Sequence, residues 1–235
     1  MKAVSCAIIF SMLLFSCTEK STIVFNEVQT AGAMRNVMHA GDLSDHIQLD
    51  TVPSEGLHGI GPLTNLTGEI VVNNGKVYAS QVSSDSTMTV QEIPNAAAPF
   101  FVYEHVKKWG RVSKPVNIQS LKHLEKLLDE MAIKMDQQVF AFKLEGTVPS
   151  ATIHVQNLPA GTEIHSMEDA HTGQKSYALK NTEATLIGFY STQHKGVFTH
   201  HDANIHVHLL SQDHKWLGHV DEITLGDLEL FIPQS

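Results

Sequence analysis

The stretch NIHVHLL, residues 204–210, alternates polar and apolar side chains up to its last residue. A period of two fits an extended strand, because successive strand side chains point to opposite faces. Ile205, Val207 and Leu209 then share a face that demands a core, while Asn204, His206, His208 and Leu210 share the other. The following SQDHKW (211–216) is polar enough to turn, and LGHVDEI (217–223) returns as a neighbouring strand. Such a hairpin brings His219 beside His206 and His208. Three neutral imidazoles leave a tetrahedral zinc ion a fourth position for water or substrate, the catalytic rather than the structural arrangement. Without thiolates, imidazole ligation favours Zn2+, with other divalent first-row metals as competitors.

Spacing by itself leaves a second reading open. The chain holds fifteen histidines, and at that density roughly one His-x-His pair arises by chance. The same rings could be ordinary surface or satisfied core histidines, and His200, His201 and His214 compete as ligands.

Other segments repeat the strand signal. EIVVNNGKVYAS (69–80) reads as a hairpin, two β-rich runs around Asn73-Asn74-Gly75, residues that tolerate positive φ. PFFVYEHV (99–106), QVFAFKLEG (138–146), ATLIGFYS (184–191) and DLELFIP (227–233) are further strands. One amphipathic helix is predicted over 118–134, where Leu121, Leu124, Leu127, Leu128 and Met131 recur at helical spacing. A weaker helix is expected over 30–39. Many strands with one or two helices predict an α+β fold, mostly antiparallel or mixed sheet.

The N-terminus reads differently. MKAVSCAIIFSMLLFSCTEK (1–20) has a Lys-bearing start and an apolar run, Ala7 to Phe15, too short to span a bilayer. It is expected to be an export signal. Leu14-Phe15-Ser16-Cys17 looks like a lipobox, with Cys17 lipidated, against the alternative of an ordinary secretory peptide cut nearby. Cys6 falls in the removed segment, so the mature chain has no spare thiol for a disulfide, a metal or catalysis. The remainder, 21–235, suits one large domain, or two closely packed β subdomains. A net charge of −9 and only two arginines, Arg35 and Arg111, argue against nucleic acid. No later run of eighteen apolar residues occurs, so membrane contact is expected through the lipid anchor only.

The motifs together resemble the α-acetolactate decarboxylase family, from about Thr22 to His219. Gly59-Ile60-Gly61-Pro62-Leu63-Thr64-Asn65-Leu66-Thr67-Gly68-Glu69 is similar to its G-L-G-x-x-x-x-L-x-G-E stretch, and Gly75-Lys76-Val77-Tyr78 to the turn that follows. Ala98-Pro99-Phe100-Phe101-Val102 resembles the family's T-P-F-A-V strand, and Ala184 to Tyr190 its G-T-L-I-G-F-Y. His206, His208 and His219 keep the spacing of the family's H-x-H and G-H. The resemblance implies a decarboxylase fold, a small-molecule substrate (2-acetolactate), acetoin and CO2 as products, and zinc on the three histidines. It implies that the ion acts as a Lewis acid chelating substrate hydroxyl and ketone, with Glu69 as the proton donor. Leu66 and His154 are its substrate-binding positions. A homodimer is left open.

Two departures stand beside this. His154 falls nearest the place of a family arginine that holds the substrate carboxylate, and an imidazole lacks the bidentate fork. A C-terminal tail with a second glutamate has no counterpart in the sixteen residues after His219, and Pro62 stands where relatives often have Thr. The sequence therefore supports two functions: an exported zinc decarboxylase, or a lipid-anchored relative that keeps fold and metal but takes another ligand or reaction. A structural lipoprotein without metal is the remaining reading.

Overall fold

A computed structural model describes residues 26–113, 118–224, 226 and 228–234. The expected signal segment and Cys17 lie outside the described residues. In chain order the elements are β1 (Gln29–Gly32), α1 (Met34–Ala40), β2 (Ile47–Gln48), β3 (Leu57–Pro62), β4 (Glu69–Asn73) and β5 (Lys76–Ser84). Next come β6 (Thr87–Glu92), β7 (Ala97–Ala98), β8 (Phe100–His105), β9 (Trp109–Arg111) and α2 (Leu121–Met135). The last are β10 (Val139–Val155), α3 (Met167–Ala170), β11 (Lys175–Ser191), β12 (Ile205–Ser211), β13 (Leu217–Thr224) and β14 (Glu229–Pro233). Every pairing between these strands is antiparallel. The fold is α+β as expected, with a third, four-residue helix added.

Two six-stranded sheets carry the structure. The first has the order β1-β8-β3-β4-β5-β6, and the second β11-β12-β13-β10-β14-β9. In the second, β10 and β11 also pair along their length, so β10, β11, β12 and β13 close a ring of hydrogen bonds. Closure removes edges that would otherwise be open to other chains. Only the apolar halves of β10 and β11 are evident in the sequence. Their other halves, TVPSATIHV and KSYALKNTE, are polar and hold Pro149, which has no N–H for the ladder and is skipped in the register.

Alternation sorts the side chains of the central strands. Ile205, Val207 and Leu209 enter the main core with Leu124 and Leu128 of α2, each burial stabilising by roughly 1.5–3 kcal/mol. On β4, Ile70 and Val72 enter the core of the first sheet. Val71 joins Ile60, Ile187, Phe189 and Leu217 in a cluster built from both sheets. The sheets therefore meet where β4 faces β12 and β13, and Glu69 opens β4 on the face that looks across.

Helix boundaries follow from local chemistry. The Ser120 hydroxyl accepts from the His123 N–H, so α2 begins at Leu121, three residues later than its apolar pattern suggests. It ends on Asp136 in the left-handed region, φ 53°. The expected helix over 30–39 is shifted to α1 because residues 29–32 pair with β8 instead.

Candidate metal centre and pocket

β12 turns back through residues 212–216 into β13, and His208 lies directly across from His219. His206 and His208 share the face opposite the core, both buried. Their Nε2 atoms approach to 3.1 Å. Ring centroids of His206 and His219 are 4.9 Å apart, and those of His208 and His219 5.5 Å. One ligand atom from each of the three rings lies within 4.8 Å of the others. Gly218 lets β13 lie close against β10 beside these rings. A methyl group there would sit 2.5 Å from the His154 carbonyl oxygen and push β13 off β10.

The protonation pattern suits a cation. His208 Nδ1–H donates to the Ile70 carbonyl at 3.0 Å, which leaves Nε2 with its lone pair. His206 Nδ1 is buried without a partner in good hydrogen-bond geometry, although the Phe198 carbonyl favours its protonated form. Burial pushes the His208 imidazole down to about 3, against the opposing Ile70 carbonyl. Burial, and then the neighbouring imidazoles, hold His206 and His219 well below their ordinary value. Three rings kept neutral, each offering one ligand atom within 4.8 Å of the others, are a donor set that a divalent ion can use. The residues fit the zinc that the sequence implies.

Glu69 faces the same place from the other sheet. It is 3% exposed, accepts from the Gln156 backbone N–H at 3.3 Å, and brings Oε2 to 3.7 Å from His208 Nε2. Burial raises its carboxyl well above the usual range, aided by the charge of Asp221 and opposed by the Gln156 N–H. A carboxyl whose neutral form is favoured by burial thus sits beside the histidines.

A pocket of about 150 Å³ opens over these groups. Met34, Met38, Pro62 and Phe100 form an apolar side, while His154, His171, His200, Gln156, Gln174 and Asp221 form a polar one. His154 stacks on His219 with centroids 4.6 Å apart, and its Nδ1–H donates to Asp221 Oδ1 at 2.6 Å. Asp221 reaches it because the β10–β13 register slips between Thr152 and Ile153, leaving one extra residue on β13. His154, His219 and Asp221 form a second group with converging ligand atoms.

The sequence model of the alpha-acetolactate decarboxylase family matches residues 30–234. This chain belongs to that family. It is 26% identical to the Brevibacillus brevis alpha-acetolactate decarboxylase over 201 residues, covering 84% of this chain and 66% of that protein. It is 28% identical over 194 residues to the Lactococcus lactis subsp. cremoris protein of the same name, covering 81% and 73%. In structure it is similar to the Bacillus subtilis strain 168 alpha-acetolactate decarboxylase, with a TM-score of 0.71 at 20% identity, over 88% of this chain and 85% of that one.

Within this alpha-acetolactate decarboxylase fold, His206, His208, His219, Glu69 and His154 are brought together. Leu66 is not at the pocket surface. It is fully buried beneath the apolar wall with Met34, Met38 and Phe100, and its carbonyl accepts from the Leu158 N–H. His201 and His214 stay out of the pocket wall, whereas His200 enters it. Asp221, Gln156 and Gln174 were not foreseen. Asp221 had a signal, since it stands two residues after His219 on a strand. Met34 and Met38 had another, at helical spacing in the weaker helix. Gln156 and Gln174 had none.

Proposed function

We propose that this chain decarboxylates 2-acetolactate, or a closely similar 2-hydroxy-3-keto acid, to acetoin and CO2. His206, His208 and His219 would hold a zinc ion. When bound there, the ion supplies Lewis acidity to the substrate oxygens where negative charge gathers as CO2 departs. The pocket over Glu69 orients the small substrate and limits water around it. The bond between the carboxyl carbon and C2 breaks, and its electron pair shifts toward the ketone oxygen to leave an enediolate. Glu69 then delivers its proton to C2, and the resulting carboxylate recovers a proton from water. The observation that carries this reading is the buried Glu69 carboxyl, its Oε2 placed 3.7 Å from His208 Nε2 at the pocket floor.

A second reading has its own support. Among the described residues no Lys or Arg lines the pocket. Arg111 is paired with Glu229 on the surface, and Arg35 lies on the exposed side of α1. A pocket without a fixed cation suits a relative that keeps the fold and metal but takes a different small-molecule ligand or reaction. The N-terminal sequence supports export and lipid attachment at Cys17 for either reading.

Racemic acetolactate, zinc-loaded protein and an acetoin assay decide between them. The wild type is expected to form acetoin, and Glu69→Gln to lose roughly 10²–10⁴-fold in rate with its zinc retained. Zinc-loaded wild type that forms no acetoin overturns the first reading in favour of the second.

A further inference from the structure

Gln156 does two things at once. Its backbone N–H braces Glu69, and its side chain forms part of the pocket wall. The side chain is 3% exposed, and Nε2 donates to Gln174 Oε1 at 3.3 Å. Its Oε1 is buried without any hydrogen-bond partner. A buried carbonyl left unpaired costs stability that a bound donor would recover. We propose that Gln156, fixed by Gln174, is a specificity-determining residue whose Oε1 accepts a hydrogen bond from a hydroxyl of the ligand.

The wall around it explains the choice of a hydroxyl. Asp221 is an acceptor, and His154 spends its Nδ1–H on that carboxylate. Asp221 and Gln156 Oε1 are both acceptors here, and no Lys or Arg is among the lining residues. A ligand that brings its own O–H satisfies it, and an analogue without the hydroxyl leaves Gln156 unpaired. Sites built to bond a hydroxyl reject such analogues far more strongly than apolar pockets reject a missing methylene. Gln174 is a positioning residue: its Oε1 accepts from Gln156 Nε2 and so leaves Oε1 as the atom of that amide without a partner.

This inference rests on the reading of the pocket as the ligand site, yet it is measured without turnover. Zinc-loaded protein is titrated calorimetrically with 2-hydroxy-2-methylbutanoate and with 2-methylbutanoate, which differ by one hydroxyl. The wild type is expected to prefer the hydroxylated acid by about tenfold or more. In Gln156→Met that preference should shrink at least fivefold, with zinc content unchanged, and Gln156→Glu, which keeps an acceptor, should restore part of it. Should Gln156→Met fail to fold, Gln174→Met alters only the half-buried partner and should shrink the preference too. An unchanged preference in every folded variant overturns the proposal. Acetoin formation is scored separately, so a wild type inactive on acetolactate refutes the decarboxylase reading while the binding ratio still tests Gln156.

Discussion

The pocket has two unlike walls. The histidine wall of β12 and β13 is dry on its β12 side, and its rings are held neutral by burial. One ring is held at Nδ1 by a backbone carbonyl, Ile70, which ties its orientation to the strand framework. The adjoining, ligand-facing wall depends on side chains holding side chains: Asp221 of β13 on His154, and Gln174 on Gln156. Asp221 is itself a third exposed. A wall braced by backbone tolerates little change, whereas one braced by side-chain pairs can be retuned for another ligand without loss of the fold. The comparison predicts that substitutions on the first wall abolish function and those on the second alter it.

The largest effect belongs to the histidine wall. His208→Ala removes a ligand and the Ile70 bond together, and zinc should fall from near one per chain to near none by elemental analysis. Acetoin formation should drop roughly a thousandfold or more. Full zinc retention in a His206→Ala, His208→Ala double variant would refute the ligand assignment. A smaller effect is expected from the ligand wall. Asp221→Asn weakens the hold on His154, so kcat/KM should fall about tenfold with zinc content intact. Zinc loss in Asp221→Asn would show that the walls are not independent.

The smallest effect lies away from both walls and is a pH dependence. Glu104 of β8 accepts from the Ala141 N–H of β10 at 2.8 Å, tying the sheets together. Burial pushes its carboxyl up to about 7, against that N–H. A raised folded value means the folded chain keeps a proton that the unfolded chain releases. The resulting stability is fully present below the ordinary value of 4.5 and is lost as pH rises to about 7. Glu104→Gln should therefore raise the melting temperature by a few degrees at pH 8 and leave it nearly unchanged at pH 4.5. A shift equal at both pH values would mean that Glu104 does not titrate in this range.

The two walls also differ in how far they can be read from sequence. The histidine wall is a local matter: the 204–210 alternation sets two rings on one face, and a short polar turn sets the third across from them. Glu69 is harder, since read by its neighbours it is a strand-opening residue, and only the order of motifs around Gly68-Glu69 marks it out. The ligand wall comes from α1, β3, β8, β10 and β13 and from loops beside α3, β11 and β12, whose proximity depends on β10 and β11 closing the second sheet. Nothing in TVPSATIHVQ announces that Gln156 brings its amide into a pocket. The bulge that aims Asp221 is likewise a consequence of register, and Leu66 illustrates the converse, a motif residue placed in the core.

One diffraction experiment tests the central claim most directly. Crystals of the zinc-loaded protein, measured at the zinc absorption edge, should show one anomalous peak about 2.0–2.1 Å from a ring nitrogen of each of His206, His208 and His219. A peak seated instead between His154, His219 and Asp221, or no peak at the three rings, would contradict it.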